Sequence, residues 1–212
     1  MLEKYITVKQ EGSHEITIQK SRFIGYVKRT ETQEEAQAFI VSIKKKHKDA
    51  NHNCSAYMIG EQNLTQKAHD DGEPSGTAGV PMLEVLKRMD LKDTTVVVTR
   101  YFGGVKLGAG GLIRAYSNAT SEAIKHTGVV ERSLMQEVII TVDYGLIGKV
   151  ENELRNSEYI LDDIRYEENV AFHMYVPISK QEAFTTWITD ITSGQAVINT
   201  DKQAYVEKAL NL

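Results

Sequence analysis

Cysteine is nearly missing from this chain. Cys54 is the single thiol among 212 residues, so no intramolecular disulfide can form and a reducing compartment is indicated. Long apolar runs are missing too: nowhere do about 18 apolar residues follow one another, and the amino-terminal MLEKYITVKQEG holds no apolar h-region. The expected location is cytoplasmic, with no membrane partner. Standard catalytic and nucleotide motifs are equally scarce. The P-loop pattern ends in Gly-Lys-Ser/Thr, which does not occur, and the dinucleotide pattern needs glycine where Ile113 stands. There is no Gly-x-Ser-x-Gly elbow. His52 and Cys54 lie two apart with no second Cys/His pair at zinc-like spacing, so no zinc site is expected, and Cys54 reads as a buried structural thiol. No cofactor and no metal are called for.

What is present is an ordinary globular composition, 41% hydrophobic and 25% charged, enough for one large domain or two small ones. The net charge of −4 is unevenly spread. Residues 1 to 130 carry 18 Lys+Arg against 15 Asp+Glu, a net of +3, whereas residues 131 to 212 carry 7 against 14, a net of −7. This asymmetry suggests two domains with different partners, the first better suited to an anion, although an acidic surface also serves solubility alone.

Hydrophobic periodicity gives the elements. Glu15 to Lys20 and Phe23 to Lys28 read as strands joined at Ser21-Arg22. Thr32 with Glu35 fits a capping box, and Ala36, Phe39, Ile40 and Ile43 follow at helical spacing over residues 32 to 47. Cys54 to Ile59 and Leu64 to His69 form a strand pair. Pro81 opens a helix whose stripe is Met82, Val85, Leu86 and Met89. Thr94 to Tyr101 is β-branched almost throughout, as a strand covered on both faces should be. A third helix runs from about Gly110 to Thr127, presents Ala115, Ala119 and Ala123 for close packing, and ends at Gly128. Beyond it, a strand (134 to 143), a helix (145 to 157), a strand pair (159 to 166 and 170 to 178), a helix (181 to 192) and one or two closing strands (195 to 210) follow the βαββαβ order of a ferredoxin-like unit. Phe184 and Trp187 belong to its core. The fold class is therefore α+β, with domains at 1–130 and 131–212.

Eight of the fifteen glycines fall between Gly72 and Gly111. Glycine weakens a fold unless positive φ or close approach is needed, so two tight turns, a ligand against the backbone, or both are expected here. RYFGGVKLGAGGLIR (100 to 114) runs from the Thr94–Tyr101 strand into a helix, and a strand-to-helix turn leaves free backbone N–H groups at the positive end of a helix dipole. Arg100, Tyr101, Gly103, Gly104, Lys106, Gly108, Gly110, Gly111 and Arg114 are the candidate anion-binding residues. The same stretch also reads as a purely structural turn. The second cluster, HDDGEPS from His69, offers His69, Asp70, Asp71 and Glu73 for acid-base chemistry or for holding Mg²⁺ through oxygen ligands. Equally, Asp, Gly, Pro and Ser make turns, and Asp70 or Asp71 can cap backbone or pair with Arg100 or Arg114.

Together, DDGEPSGTAG, PMLEVL and VVVTRYFGGVKLGAGGLIRAYSNATSEA closely resemble the IMPACT family in its bacterial, YigZ-like form, and KSRFIGYV and DANHNCSAY match as well. The resemblance covers residues 20 to 127 strongly. It implies an amino-terminal domain like domain 2 of ribosomal protein S5 and a ferredoxin-like second domain similar to one in translation elongation factor G. Eukaryotic members regulate translation through a stress kinase by way of an additional amino-terminal RWD domain, and this chain begins almost directly at the shared domain, so that role is not carried over. The resemblance implies instead a translation-associated regulatory protein binding RNA, the ribosome or another phosphate-bearing ligand in a basic glycine-rich cleft, with Tyr101 and Phe102 to stack on bases, Lys44 to Lys48 as a further patch, and a protein of the translation machinery as a further partner. The alternative is a hydrolase or phosphoryl-transfer enzyme acting on a small anionic substrate in that cleft. Fold alone does not choose between them.

Overall fold

Residues 1–211 are described by the structure, a computed structural model, and form a mixed α+β fold. The chain runs through β1 (Lys4–Val8), β2 (Gly12–Ile18), β3 (Ser21–Arg29), α1 (Gln33–Lys46), β4 (His52–Ile59), β5 (Thr65–His69), α2 (Gly79–Arg88), β6 (Thr94–Tyr101), α3 (Gly108–Thr127) and β7 (Val129–Val142). It continues through α4 (Ile147–Arg155), β8 (Ile160–Tyr166), β9 (Val170–Pro177), α5 (Gln181–Thr192) and β10 (Val197–Leu210). Two compact units result, Tyr5–Arg132 with Lys208–Leu212, and Met1–Lys4 with Ser133–Glu207.

In the first unit the sheet order is β2-β3-β6-β4-β5, antiparallel at every pairing. β6 lies in the middle because its valines serve both faces. Val96 and Val98 enter the core shared with α2 and α3, whereas Val97 enters the core shared with α1. The alternation holds on the neighbours. Phe23 and Val27 of β3 and Cys54, Ala56 and Met58 of β4 join the α2/α3 core, while Ile24, Tyr26, Tyr57 and Ile59 face α1. The unit is thus three layers, one helix on one side of the sheet and two on the other.

Helix α1 starts as its sequence directs: Thr32 accepts from the Glu35 backbone N–H (3.2 Å), and Glu35 reaches back to the backbone N–H of Glu31 (2.8 Å). The hairpin after β2 turns at Gln19-Lys20, with φ of 44° and 67°, rather than at Ser21-Arg22 as the sequence reading has it. Neither residue is glycine or asparagine, so the turn is dictated by strand register and leaves no mark in the sequence. β1, too short to register as a periodic element, is absent from that reading; α3 begins at Gly108 and the closing segment is one strand, β10.

In the second unit β10, β7, β9 and β8 lie in that order, which is 4-1-3-2 for a βαββαβ chain and makes the domain ferredoxin-like. Val138, Ile140 and Val142 of β7 and Phe172 and Met174 of β9 pack with Val150 and Leu154 of α4 and Phe184 and Ile188 of α5. Trp187 lies against that core, with Phe184 5.8 Å and Tyr159 6.0 Å away between ring centres.

Helix α3 comes so near the sheet that β3 has glycine beneath it. A Cβ on Gly25 would lie 2.6 Å from the Ala123 Cβ and 2.9 Å from the Ala119 carbonyl oxygen, and helix backbone cannot yield cheaply. Gly25→Ala is expected to cost roughly 1–3 kcal/mol by urea denaturation. Gly145→Ala, where a Cβ meets open space, should stay within about 0.5 kcal/mol and serves as the control.

Candidate functional site

Arg100 is the last residue of β6 to point toward α2 and α3, one step beyond Val98 on the same face. A cation at the edge of an apolar layer requires a partner, and Glu73 supplies it. Arg100 Nη1 donates to Glu73 Oε1 at 2.7 Å, and the Tyr116 hydroxyl of α3 donates to the same oxygen at 2.8 Å. The two charged side chains are 7% and 3% exposed, so this is a buried ion pair. The guanidinium also lies over Phe23 and Phe102, 5.4 and 5.5 Å from the ring centres, and its Nε is buried without a hydrogen-bond partner among the described residues. Burial, with negative neighbours, raises the Tyr116 phenol, and burial pushes the Cys54 thiol up to about 12. The thiol donates to the Asp70 carbonyl at 2.9 Å.

The loop that carries Glu73 is held by two aspartates. Asp70 Oδ1 accepts from the backbone N–H of Ala78 (3.1 Å) and Gly79 (2.8 Å), and Oδ2 from that of Gly76 (2.8 Å), so it caps α2 from eight residues upstream. Burial works against its ionisation, but these three donors outweigh burial and the carboxyl titrates below its ordinary value. Asp71 takes positive φ (47°) beside Gly72 and binds Lys44 Nζ (2.6 Å) and the Asn53 backbone N–H (2.7 Å). Its carbonyl accepts from His52 Nδ1 at 2.9 Å, which places the proton on Nδ1. His52 Nε2 then lies 3.8 Å from Glu73 Oε2.

The second loop closes against the first strands. A Cβ on Gly103 would fall 2.0 Å from the Lys20 carbonyl oxygen, so only glycine fits there. Phe102 N–H donates to Asn51 Oδ1 (2.8 Å) and Gly103 N–H to Ser21 Oγ (3.2 Å). Helix α3 then begins at Gly108 with neither a side-chain cap nor an acidic residue in its first turn, so its leading N–H groups are open to a ligand. Between the loops is a cavity of about 390 Å³, bounded by Glu73, Arg100, His52, Phe102, Lys106 and Gly108 among others.

The residues singled out in the sequence divide by strand alternation. Glu73, Arg100, Lys106 and Gly108 line the cavity. Asp70 and Asp71 support its wall, and Gly103 and Gly104 form the bend leading to Lys106. Gly110, Gly111 and the exposed Arg114 lie in the first turns of α3. Tyr101 and His69 are elsewhere. Tyr101 points to the α1 face, where its hydroxyl meets His47 Nδ1 at 2.8 Å, and His47 Nε2 meets the Tyr26 hydroxyl at 2.6 Å. His69 pairs in register with Ser55 and is half exposed. Asn51, Leu107, Ala109, Leu112 and, above all, His52 line the cavity without having been singled out for it. His52 pairs in register with Arg100, a signal available only once β4 and β6 are aligned.

A model of the Impact N-terminal domain matches residues 19–124, and one of a Domain of unknown function (DUF1949) matches residues 140–195. IMPACT family member YvyE of Bacillus subtilis (strain 168) is 58% identical over 211 residues, covering 100% of this chain and 97% of that protein. IMPACT family member YigZ of Escherichia coli (strain K12) is 33% identical over 186 residues, with 84% and 88% covered. A crystal structure of a hypothetical protein superposes with a TM-score of 0.61 at 29% identity, covering 95% of this chain and 99% of that one.

Two stability predictions come from this geometry. Removing one member of a buried pair strands the other, so Arg100→Met should cost about 3–5 kcal/mol, and Arg100→Met with Glu73→Gln should cost less than the two single changes summed. Urea denaturation of the four proteins closes that cycle. Asp70 has a depressed carboxyl, so its stabilisation is full above the ordinary carboxylate range and is lost as pH falls through its lower folded value. Asp70→Asn should therefore lower stability by about 1 kcal/mol at neutral pH, a deficit that narrows in acid as the native carboxyl takes up its proton.

Proposed function

The chain belongs to the IMPACT family, and from that premise we propose that it is a translation-associated regulatory protein that binds single-stranded RNA through the cavity beside α3. One observation carries the reading. The uncapped amino end of α3, the exposed Lys106 and the 46% exposed ring of Phe102 converge on a space of about 390 Å³, large enough for one nucleotide. Phosphate suits the helix end and the ammonium, and a base suits the ring. Arg114, also exposed, adds a cation within the first two turns of α3, beside the cavity lining.

Arg100 has a different part. Its charge is balanced by Glu73, so it shapes the wall and is not a free phosphate contact. Lys44 is likewise paired with Asp71, and the Lys46 ammonium lies over the Tyr26 ring. The hydrolase or phosphoryl-transfer alternative has less support, because Glu73 is the one candidate carboxylate in the cavity and it is held by Arg100 and Tyr116.

Lys106 and Arg114, each without a salt bridge among the described residues, imply a modest electrostatic contribution. Each phosphate neutralised on a single strand contributes about 0.7 to the slope of log affinity against log salt, so the expected slope is about −1.4. Lys106→Ala and Arg114→Ala should each reduce it by about 0.7 without favouring any sequence. Phe102→Ala should weaken binding by about 1–3 kcal/mol while leaving the slope unchanged. Titration of labelled single-stranded RNA from low to physiological salt tests this, and a salt-independent affinity or a slope unaltered in both lysine and arginine variants would remove the cavity from consideration.

A further inference from the structure

Glu73 and His52 leave two acceptors unused on the cavity wall. Glu73 has a 3% exposed side chain, and Oε1 takes both the Arg100 and the Tyr116 donors. Oε2 has no hydrogen bond among the described residues. His52 spends its Nδ1 proton on the Asp71 carbonyl, so in the neutral ring Nε2 is a bare lone pair. The two atoms stand 3.8 Å apart, too far for a hydrogen bond between them and near enough to share one donor. A carboxylate oxygen and an imidazole nitrogen on one cavity wall together offer a ligand hydroxyl a place to donate.

We propose that His52 Nε2 and Glu73 Oε2 receive the 2′-hydroxyl of a ribonucleotide unit, so that the cavity distinguishes RNA from DNA. The proposal rests on the RNA-binding reading and adds to it the sugar that is read. The surroundings select the group. On the cationic side of the same cavity, Lys106 and the α3 amino end offer a phosphate site, and Phe102 offers a base platform. Of the donors in an internal unit of an RNA strand, the 2′-hydroxyl lies nearest a phosphate, whereas base amino groups stand beyond the sugar. The positions of both loops are fixed by backbone contacts, through Asp70 and Asp71 on one side and Gly103 on the other, so the acceptors are held in place before a ligand arrives. The hydroxyl is also the group by which a protein separates the two nucleic acids at a given site.

The test compares a short fluorescein-labelled oligouridylate with the oligodeoxyuridylate of the same length by anisotropy at one salt concentration. Base and charge are then equal, and the sugar alone differs. About ten-fold tighter binding of the ribo-oligomer is expected, the ratio falling toward one in His52→Ala. His52→Phe keeps the bulk of the ring without an acceptor and should lose the preference equally; thermal melting of both variants confirms that they fold. A preference retained in His52→Phe overturns the assignment. Equal binding of the two oligomers by the native protein overturns this inference alone, whereas binding of neither overturns the RNA reading and this inference together. Competition by uridine and deoxyuridine monophosphates locates the source of the unit: a free ribonucleotide displaces the probe at low concentration if it is the ligand, and a polymer is required if it is not.

Discussion

The ion pair between Glu73 and Arg100 is the contact on which the amino-terminal unit's functional end depends. Each charge is buried, and each would be costly alone. Their union fixes three things at once. It ends the apolar face of β6, anchors the glycine loop to the sheet, and, through Tyr116, ties both to α3. Because Glu73 and Arg100 both line the cavity, a structural contact also shapes its wall.

Around that contact the backbone is held by unusually specific means. Asp70 captures the amide donors of Gly76, Ala78 and Gly79 at and just before the start of α2, which orders the loop together with the Asp71 and Glu73 side chains. Gly103 presses against the Lys20 carbonyl so closely that no side chain fits, which draws the second loop onto the hairpin. Gly25 does the same beneath α3. Most glycines of the two clusters are therefore required by close approach, as at Gly79 and Gly103, or by positive φ, as at Gly72, Gly76, Gly104 and Gly108.

Sequence patterns carried most of the architecture. The valine run of β6, the alanine face of α3, the capping residues Thr32 and Glu35 and the βαββαβ order of the second unit all act over a few residues, and each appears where its period places it. The Gln19-Lys20 turn escaped because its conformation comes from the register of the two strands it joins, and β1 because it pairs with a strand far along the chain, in neither case from their own composition.

The functional end is where the two levels part. The sequence by itself determined that two glycine-rich loops, a set of carboxylates and three cations belong together, since turn chemistry and charge are local properties. Only the tertiary structure decided which of them share a space. Strand alternation sent Arg100 to the cavity and Tyr101 to the opposite face, and register put His52 beside Arg100 although 48 positions separate them in the chain. Burial then decided that Arg100 is neutralised by Glu73 while Lys106 stays in solvent. None of these outcomes has a local signature, because face, register and burial are relations between segments that only folding brings into contact.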